Sequence, residues 1–195
     1  MFSYLYHPAI RLMDGAGLKK MREACVSRLP EGEILEIGSG SGAMFTSYIP
    51  SMRVSAVEPD PVLRRISIGQ AEKAAAEVHV IEGKAEKLPA ADHTYDGVLS
   101  FLVLCSVQNL HDSISELRRV TRPGGKIVLF EHVRPKGMKG KAAAQAAPLW
   151  AACCGGCQLD RPTDDVLLRR KWKHVEKKSF SVFRFMELTM PDDEN

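Results

Sequence analysis

The sequence contains no apolar run close to the roughly 20 residues that a helix needs to cross a bilayer. Residues 1–8 have neither a basic start nor a long apolar stretch, so they do not resemble a signal peptide. The net charge is only +3 and the isoelectric point is near 8.6, values that do not by themselves call for a nucleic-acid partner. We therefore expect a cytoplasmic protein with no membrane span.

Cysteine is scarce, with five residues in the chain. Cys25 and Cys105 lie in apolar contexts that are typical of buried thiols. The stretch Cys153-Cys154-Gly155-Gly156-Cys157 contains one C-x-x-C spacing, which occurs in redox pairs and in zinc sites. A second C-x-x-C that could complete a zinc site is missing. We therefore expect no metal site, and we interpret the cysteines as reduced thiols without a catalytic role.

The most informative stretch is an apolar run that ends in glycines, Ile34-Leu35-Glu36-Ile37-Gly38-Ser39-Gly40-Ser41-Gly42. This pattern predicts a buried strand that leads into a tight turn. Glu58 follows Gly38 by about twenty residues, at the end of a second apolar run. That spacing is typical of a nucleotide-cofactor site at the first crossover of an α/β sheet, where the second-strand carboxylate binds ribose hydroxyls.

Two cofactors fit this turn. Residues 38–43 satisfy the dinucleotide pattern G-x-G-x-x-G/A, and with Glu36 in front they also satisfy an acidic-x-Gly-x-Gly-x-Gly pattern. A dinucleotide brings a pyrophosphate, whereas S-adenosylmethionine brings a cationic amino group and a sulfonium. Glu36 therefore favours S-adenosylmethionine, because a carboxylate attracts a cation and repels a phosphate. A plain strand-to-helix turn is the alternative without a ligand.

Strands and helices alternate along most of the chain. Apolar runs predict strands over residues 33–38, 52–58, 78–82, 95–101, 126–133 and 179–188. Helical spacing, caps and composition predict helices over residues 12–29, 42–48, 61–76, 113–120, 142–152 and 166–172, with Asp60 as an N-cap. This order predicts an α/β fold, a Rossmann-like doubly wound and mostly parallel sheet, whose ligands bind at the carboxyl ends of the strands.

Four stretches together resemble the class I S-adenosylmethionine-dependent methyltransferases: residues 35–42, 57–61, 83–89 and 122–125. A closer likeness, to the small alkyl-thiol methyltransferases, lies in residues 102–107, 131–133 and 156–163. Ubiquinone-biosynthesis-type methyltransferases and phospholipid N-methyltransferases share the first four stretches. The resemblance implies a single methyltransferase domain over residues 1–195. Its parts would be an N-terminal helical segment (1–32), a cofactor-binding core (33–133) and a variable substrate-side region (134–195).

The resemblance also implies a role for each matching residue. Glu36 and the turn would hold the methionine end of the cofactor, Glu58 its ribose and Pro59 its adenine side. The Ala85 N–H would face the adenine ring beside Glu86. The implied cofactor-binding residues are Glu36, Gly38, Ser39, Gly40, Gly42, Glu58, Pro59, Ala85, Glu86, Ser100 and Leu102.

Three features depart from the family pattern. Lys84 stands where relatives often have an aspartate, so Glu86 would have to accept the adenine amino group. The animal alkyl-thiol enzymes begin with an apolar anchoring segment that this chain lacks. Class I folds end in a strand hairpin, but only one late strand is evident here, which predicts a truncated hairpin.

The chemical nature of the nucleophile determines whether the reaction needs a general base. A thiol loses its proton readily, whereas an amine or carbon acceptor calls for a base. His132 is the candidate base, because histidine titrates near neutral pH; a histidine that caps its strand or bonds Glu131 is the alternative. Glu131 would orient His132 or help to bind a ligand.

The region after residue 135 should shape the pocket of a small, fairly apolar acceptor. Trp150 would line that pocket and Arg161 would bind an acidic group of the acceptor, with core packing and a surface salt bridge as the respective alternatives. A thiol is the favoured acceptor, with a phospholipid amine, a quinol or another metabolite as alternatives. A non-catalytic cofactor-binding or RNA-binding module is the alternative from another class.

A basic run, residues 169–178, is the strongest cluster of positive charge. Such a run binds nucleic acid or makes peripheral contact with an anionic membrane, or it is a solvated face. We favour the solvated face, and nucleic acid is therefore not an expected partner.

Overall fold

A computed structural model describes residues 17–153 and 155–192. Seven strands form one sheet in the order β3-β2-β1-β4-β5-β7-β6. The strands are β1 (Gly32–Ile37), β2 (Met52–Val57), β3 (Glu77–Ile81), β4 (Tyr95–Phe101), β5 (Thr121–His132), β6 (His174–Phe180) and β7 (Phe183–Thr189). The helices are α1 (Lys19–Val26), a 3-10 turn (Phe45–Ser47), α2 (Pro61–Ala71), α3 (Leu110–Val120), α4 (Gly137–Cys153) and α5 (Thr163–Leu168).

The first five strands run parallel, as the apolar runs predicted. The chain moves outward from β1 through β2 to β3 and then returns to β4, which pairs with the other side of β1. The direction of winding therefore reverses between β1 and β4. Loops diverge from the carboxyl ends of these two strands and leave the crevice in which ligands of doubly wound sheets bind.

Both faces of the sheet are covered by apolar side chains, which is why its central strands are apolar almost throughout. One cluster lies under α1 and the 3-10 turn and includes Cys25, Ile34, Phe45, Leu99 and Phe130. The other lies under α3 and α5 and includes Leu35, Val98, Ile114, Leu129 and Leu167.

Two helices begin where a side chain caps them. Asp60 accepts hydrogen bonds from the main-chain N–H groups of Val62 and Leu63 at the start of α2, which confirms the predicted cap. Asn109 caps α3 in the same way, through the N–H groups of His111 and Asp112. The Asn109 cap explains why α3 begins three residues earlier than predicted.

The prediction of a truncated C-terminal hairpin was wrong. β7 pairs antiparallel with β5, and β6 pairs antiparallel with β7 along seven residues, so the hairpin is complete. β6 covers much of the basic run and lacks an apolar alternation. It is an edge strand whose side chains are mostly exposed, so neither of its faces requires apolar residues.

Other boundaries moved for local reasons. The helix predicted over residues 42–48 is absent: residues 42–44 form turns, and the 3-10 turn Phe45–Ser47 follows them. The predicted last helix lies earlier, at α5, and Trp172 is outside it. Residues 122–125 belong to β5 but interrupt its pairing with β4, because the register shifts between the pairs Tyr95–Thr121 and Gly97–Lys126. The start of the predicted first helix, residues 12–16, lies outside the described residues.

Within residues 17–153 and 155–192, none of the helices has both the length and the apolar character needed to cross a membrane.

Candidate functional site

The glycine turn, residues 38–42, begins where β1 ends. Gly38, Gly40 and Gly42 have φ angles of +59°, +56° and +80°, in the left-handed region that favours glycine. A Cβ on Gly38 would lie 2.6 Å from a methyl carbon of Val103, so the turn and the segment after β4 touch. The turn therefore needs glycine for its conformation and, at residue 38, for space.

Glu58 fastens the glycine turn to the end of β2. One carboxylate oxygen accepts the Gly40 N–H at 2.7 Å and the other accepts the Asp60 N–H at 2.8 Å. Burial raises the pKa of Glu58, although these two hydrogen bonds oppose the change. Glu58 thus shapes the turn, and its predicted contact with ribose hydroxyls would use the remaining lone pairs of the same oxygens.

Glu36 lies in the last part of β1 and is only 3% exposed. The Tyr48 hydroxyl donates a hydrogen bond to it at 2.8 Å. Burial raises the pKa of Glu36 to about 8; the Glu58 charge adds to this effect, while the Tyr48 hydrogen bond and the Arg22 charge oppose it. A cation bound beside this carboxyl would lower its pKa and restore its ionised form, so cation binding at neutral pH is linked to the release of a proton.

A small cavity opens between Glu36 and the glycine turn. Four of the eight residues that line it were predicted to bind the cofactor. The residues that line it are Arg22, Glu36, Gly38, Ser39, Ala43, Met44, Phe101 and Leu102. We call this space the cofactor cavity.

Four residues of this region were missed by sequence reasoning: Arg22, Met44, Tyr48 and Phe101. Each reaches the cavity or Glu36, and no local pattern marks it. Helical spacing predicted the helix that carries Arg22, but it did not identify the arginine as a residue of the site.

The residues present fit S-adenosylmethionine better than a dinucleotide. The Ser39 and Ser41 hydroxyls are buried in the turn without a hydrogen-bond partner, so both could bond a polar ligand. Glu36 and Glu58 place two buried carboxyls at the site; a sulfonium or an ammonium group would favour their ionised forms, whereas a diphosphate would be repelled by them. No group of three or more His, Cys, Asp or Glu side chains that could hold a metal occurs in the described part of the chain.

The predicted adenine-side residues follow β2 and β3. Pro59 is exposed and Ala85 is buried. Glu86 accepts hydrogen bonds from the Gln108 and Asn109 N–H groups, at 2.7 and 3.3 Å, just before α3. Glu86 thus links two loops at the carboxyl edge of the sheet.

Ser100 and Glu131 form a buried pair at the ends of β4 and β5. The Ser100 hydroxyl donates to Glu131 at 2.6 Å, and the N–H groups of Val103 and Cys105 donate to the same carboxylate at 3.1 and 3.3 Å. Glu131 is fully buried, and burial raises its pKa. Its carboxylate accepts hydrogen bonds from the segment after β4, whereas Glu131 was predicted to orient His132 or to help bind a ligand.

Leu102 begins that segment in a strained conformation. Its φ of +60° is rare for a residue with a side chain, and its N–H donates to the Phe130 carbonyl at 2.8 Å. The strain turns the chain sharply at the wall of the cofactor cavity, where Leu102 was predicted.

His132 lies on the opposite face of β5 from Glu131. Its ring meets the Phe183 ring edge-on at 5.8 Å between centroids, and Phe130 stacks between Phe183 and Phe101. Its Nδ1 is buried without a partner, and burial lowers its pKa, so the imidazole is neutral near pH 7. Phe101 also lines the cofactor cavity, so a continuous row of rings connects that cavity to His132.

The two residues that were predicted to bind the acceptor differ in their exposure to solvent. Arg161 is 7% exposed and donates from Nη1 to the Leu104 and Val107 carbonyls at 2.9 and 2.7 Å, so the surface salt bridge is excluded. Arg161 is thus buried against the segment after β4. Trp150, in α4, is nearly half exposed.

The sheet order, the glycine turn and the two carboxylates define the class I methyltransferase architecture. Residues 35–129 match the profile of the family described as Methyltransferase domain. A solved structure from Thermotoga maritima, described as a SAM-dependent methyltransferase and possible histamine N-methyltransferase, superposes with a TM-score of 0.72. It is 19% identical and covers 96% of this chain and 97% of its own, so it is evidence for the fold.

The chain belongs to the class I S-adenosylmethionine-dependent methyltransferases. It is 32% identical over 169 residues to Thiol S-methyltransferase TMT1A of Homo sapiens, across 83% of this chain and 66% of that protein. It is 35% identical over 112 residues to the Demethylmenaquinone methyltransferase of Streptomyces avermitilis, across 56% and 46%. The chain spans about three fifths to two thirds of the length of the thiol S-methyltransferases that it matches.

Proposed function

We propose that this protein transfers a methyl group from S-adenosylmethionine to the sulfur of a small, fairly apolar thiol. The observation that carries the proposal is its similarity, over most of the chain, to proteins named thiol S-methyltransferases. The apolar and aromatic side chains beside Leu102 support an apolar acceptor. The cytoplasmic location stays a prediction from the sequence.

The cofactor supplies a methyl group already activated by its cationic sulfur. Glu36 would hold the cationic amino end, and the glycine turn and Leu102 would fix the position of the methyl donor. Much of the rate can come from holding nucleophile and methyl in line, which gains up to about 7–11 kcal/mol in favourable cases. A thiol has an ordinary pKa near 8.5 and needs little further help to ionise.

Glu36 makes cofactor binding depend on pH in a defined direction. Its pKa near 8 means that the free protein carries a neutral carboxyl at pH 7, whereas a cation binds the ionised form. The cost of ionising Glu36 thus opposes binding below pH 8, so the affinity for S-adenosylhomocysteine should rise about fiftyfold between about pH 6 and pH 8. Calorimetry in two buffers of different ionisation enthalpy should detect a proton released on binding.

The matched variant is Glu36→Gln, which keeps the shape and removes the titration. We expect weak binding with a flat pH profile and no proton release. An unchanged profile in this variant would assign the pH dependence to another group and remove Glu36 from the binding of the cation.

His132→Ala tests the predicted base. Because the imidazole is neutral at pH 7 and lies along the aromatic row, we expect slower turnover with S-adenosylhomocysteine affinity close to that of the wild type. The loss should be about tenfold or more for an amine and smaller for a thiol, which ionises without a base. Wild-type rates for every acceptor would exclude His132 from the mechanism.

The acceptor can be identified with labelled S-adenosylmethionine and a panel of alkyl thiols, aryl thiols, quinols and phospholipid amines. The proposal expects the highest kcat/KM with thiols. Preference for a quinol would favour the alternative that the similarity to demethylmenaquinone methyltransferase suggests. Tight binding of S-adenosylhomocysteine without turnover of any acceptor would support a non-catalytic cofactor-binding module.

A further inference from the structure

Cys157 and Cys105 are free thiols brought together by the fold. Cys105 lies in the segment after β4, and Cys157 lies in the turn after α4. The N–H of Gln158 donates to the Cys105 carbonyl at 2.9 Å, so the two main chains run side by side at this point. The two cysteines therefore lie on adjacent stretches of main chain, as a disulfide requires.

Arg161 lies between the two segments that carry these thiols. It donates from Nε to the Gln158 side chain at 3.1 Å and from Nη1 to the Leu104 carbonyl at 2.9 Å. Hydrogen bonding to Cys105 lowers the pKa of Cys157 to about 7; hydrogen bonding to Trp150 and the positive charge of Arg161 act in the same direction, while burial opposes the change. Arg161 and Trp150, the two residues predicted to bind the acceptor, therefore both favour the Cys157 thiolate.

The two cysteines differ in the way that an attacking and a resolving thiol differ. Cys157 is partly exposed, and about half of it is a thiolate at neutral pH. Cys105 is buried, and its hydrogen bond to Cys157 raises its pKa well above the ordinary value. A disulfide reagent from solution would therefore meet Cys157 first.

We propose that Cys157 and Cys105 form a thiol–disulfide exchange site in which Cys157 attacks a low-molecular-weight disulfide and Cys105 resolves the product. The proposal rests on the main-chain hydrogen bond between Gln158 and Cys105 and on Arg161, which bonds both segments, and it is independent of the methyl acceptor. The C-x-x-C spacing instead suggests Cys154 as the partner of Cys157.

The reaction takes two exchange steps. The Cys157 thiolate attacks one sulfur of the disulfide RSSR; the S–S bond breaks, RS⁻ leaves with the electron pair, and a Cys157–S–S–R bond forms. The Cys105 thiol then gives its proton to solvent or to RS⁻ and attacks the Cys157 sulfur, which releases the second RS⁻. The pair is oxidised by two electrons, and RSSR is reduced to two thiols.

The disulfide would restrain the segment after β4, which forms part of the wall of the cofactor cavity. Arg161 already fixes the segment after β4 through the Leu104 and Val107 carbonyls, and Glu131 fixes the Cys105 N–H. A covalent bond from Cys105 would tie the segment that begins at Leu102 to the turn after α4. Oxidation should therefore raise the Tm, because it closes a long loop in the unfolded chain.

The test uses the full chain, reduced and then exposed to oxidised glutathione, with quenching by N-ethylmaleimide at low pH and intact-mass and peptide analysis. We expect rapid loss of two thiols and a Cys105–Cys157 disulfide. Cys105→Ser should stop at one bound glutathione on residue 157, and Cys157→Ser should leave Cys105 reduced. Circular dichroism of each variant checks that it folds.

Two further measurements make the outcome decisive. Alkylation of Cys157 by iodoacetamide should be half-maximal near pH 7, and Trp150→Phe, which keeps the ring and removes the N–H donor, should move that midpoint upward. Cys154→Ser should still form the disulfide. Loss of the disulfide in Cys154→Ser, or rapid oxidation of Cys157→Ser, would overturn the assignment.

Discussion

Gly38→Ala is expected to lower the free energy of unfolding by about 2–4 kcal/mol and to remove measurable cofactor binding. The new Cβ would lie 2.6 and 2.8 Å from the two methyl carbons of Val103, and the φ of +59° disfavours any side chain. Val103 is β-branched and cannot turn both methyl groups away. Urea denaturation measures the stability, and calorimetry with S-adenosylhomocysteine measures the binding.

Two variants separate the causes. Gly69→Ala in α2 has nothing within 4 Å of its new Cβ and an ordinary φ, so it should gain up to about 1 kcal/mol. In the Gly38→Ala background, Val103→Ala removes the close contact and leaves the backbone strain, so part of the loss should return. Wild-type stability and affinity in Gly38→Ala would mean that the turn does not have the geometry described for it.

Much of the fold could be predicted because its signals are local. The buried parallel strands appear as continuous apolar runs, and Asp60 marks the start of α2 by a cap that needs only the next three residues. Glu36, Gly38 and Glu58 could be placed together because carboxyl ends of neighbouring parallel strands meet at one edge.

The parts that failed depend on tertiary contacts. β6 has no alternation because it lies at an edge, and only its pairing with β7 defines it as a strand. Arg161 appears in sequence as a surface charge. In the structure it is buried, and it donates hydrogen bonds to two main-chain carbonyls of a segment more than 50 residues away. Tyr48 reaches Glu36 from a turn that the sequence predicted to be helical.

Strand geometry argues against the prediction that Glu131 orients His132. Adjacent residues in a strand point to opposite faces, so Glu131 could not readily orient His132. The structure follows that rule: Glu131 bonds Ser100 and the segment after β4, while His132 contacts Phe183. The first of these residues supports the cavity wall, and the catalytic role of the second stays a prediction.

Glu131→Ala should therefore lower the free energy of unfolding strongly. It leaves the Ser100 hydroxyl and the N–H groups of Val103 and Cys105 buried without their acceptor. Each unsatisfied group costs about 1–3 kcal/mol, so the loss should reach about 3 kcal/mol or more, a large part of a typical total of 5–15 kcal/mol. Urea denaturation measures it, with exposed Glu72→Ala as a control expected to stay within about 0.5 kcal/mol.

The same variant connects stability to function, because the segment that Glu131 holds carries Leu102 of the cofactor cavity and Cys105 of the thiol pair. If its carboxylate sets the position of that segment, Glu131→Ala should weaken S-adenosylhomocysteine binding and slow the Cys105 step of disulfide formation together. Glu131→Gln keeps one acceptor oxygen and should fall between the alanine variant and the wild type in all three measurements. A variant that lost stability but kept both activities would show that the segment is positioned by Arg161 and the main chain alone.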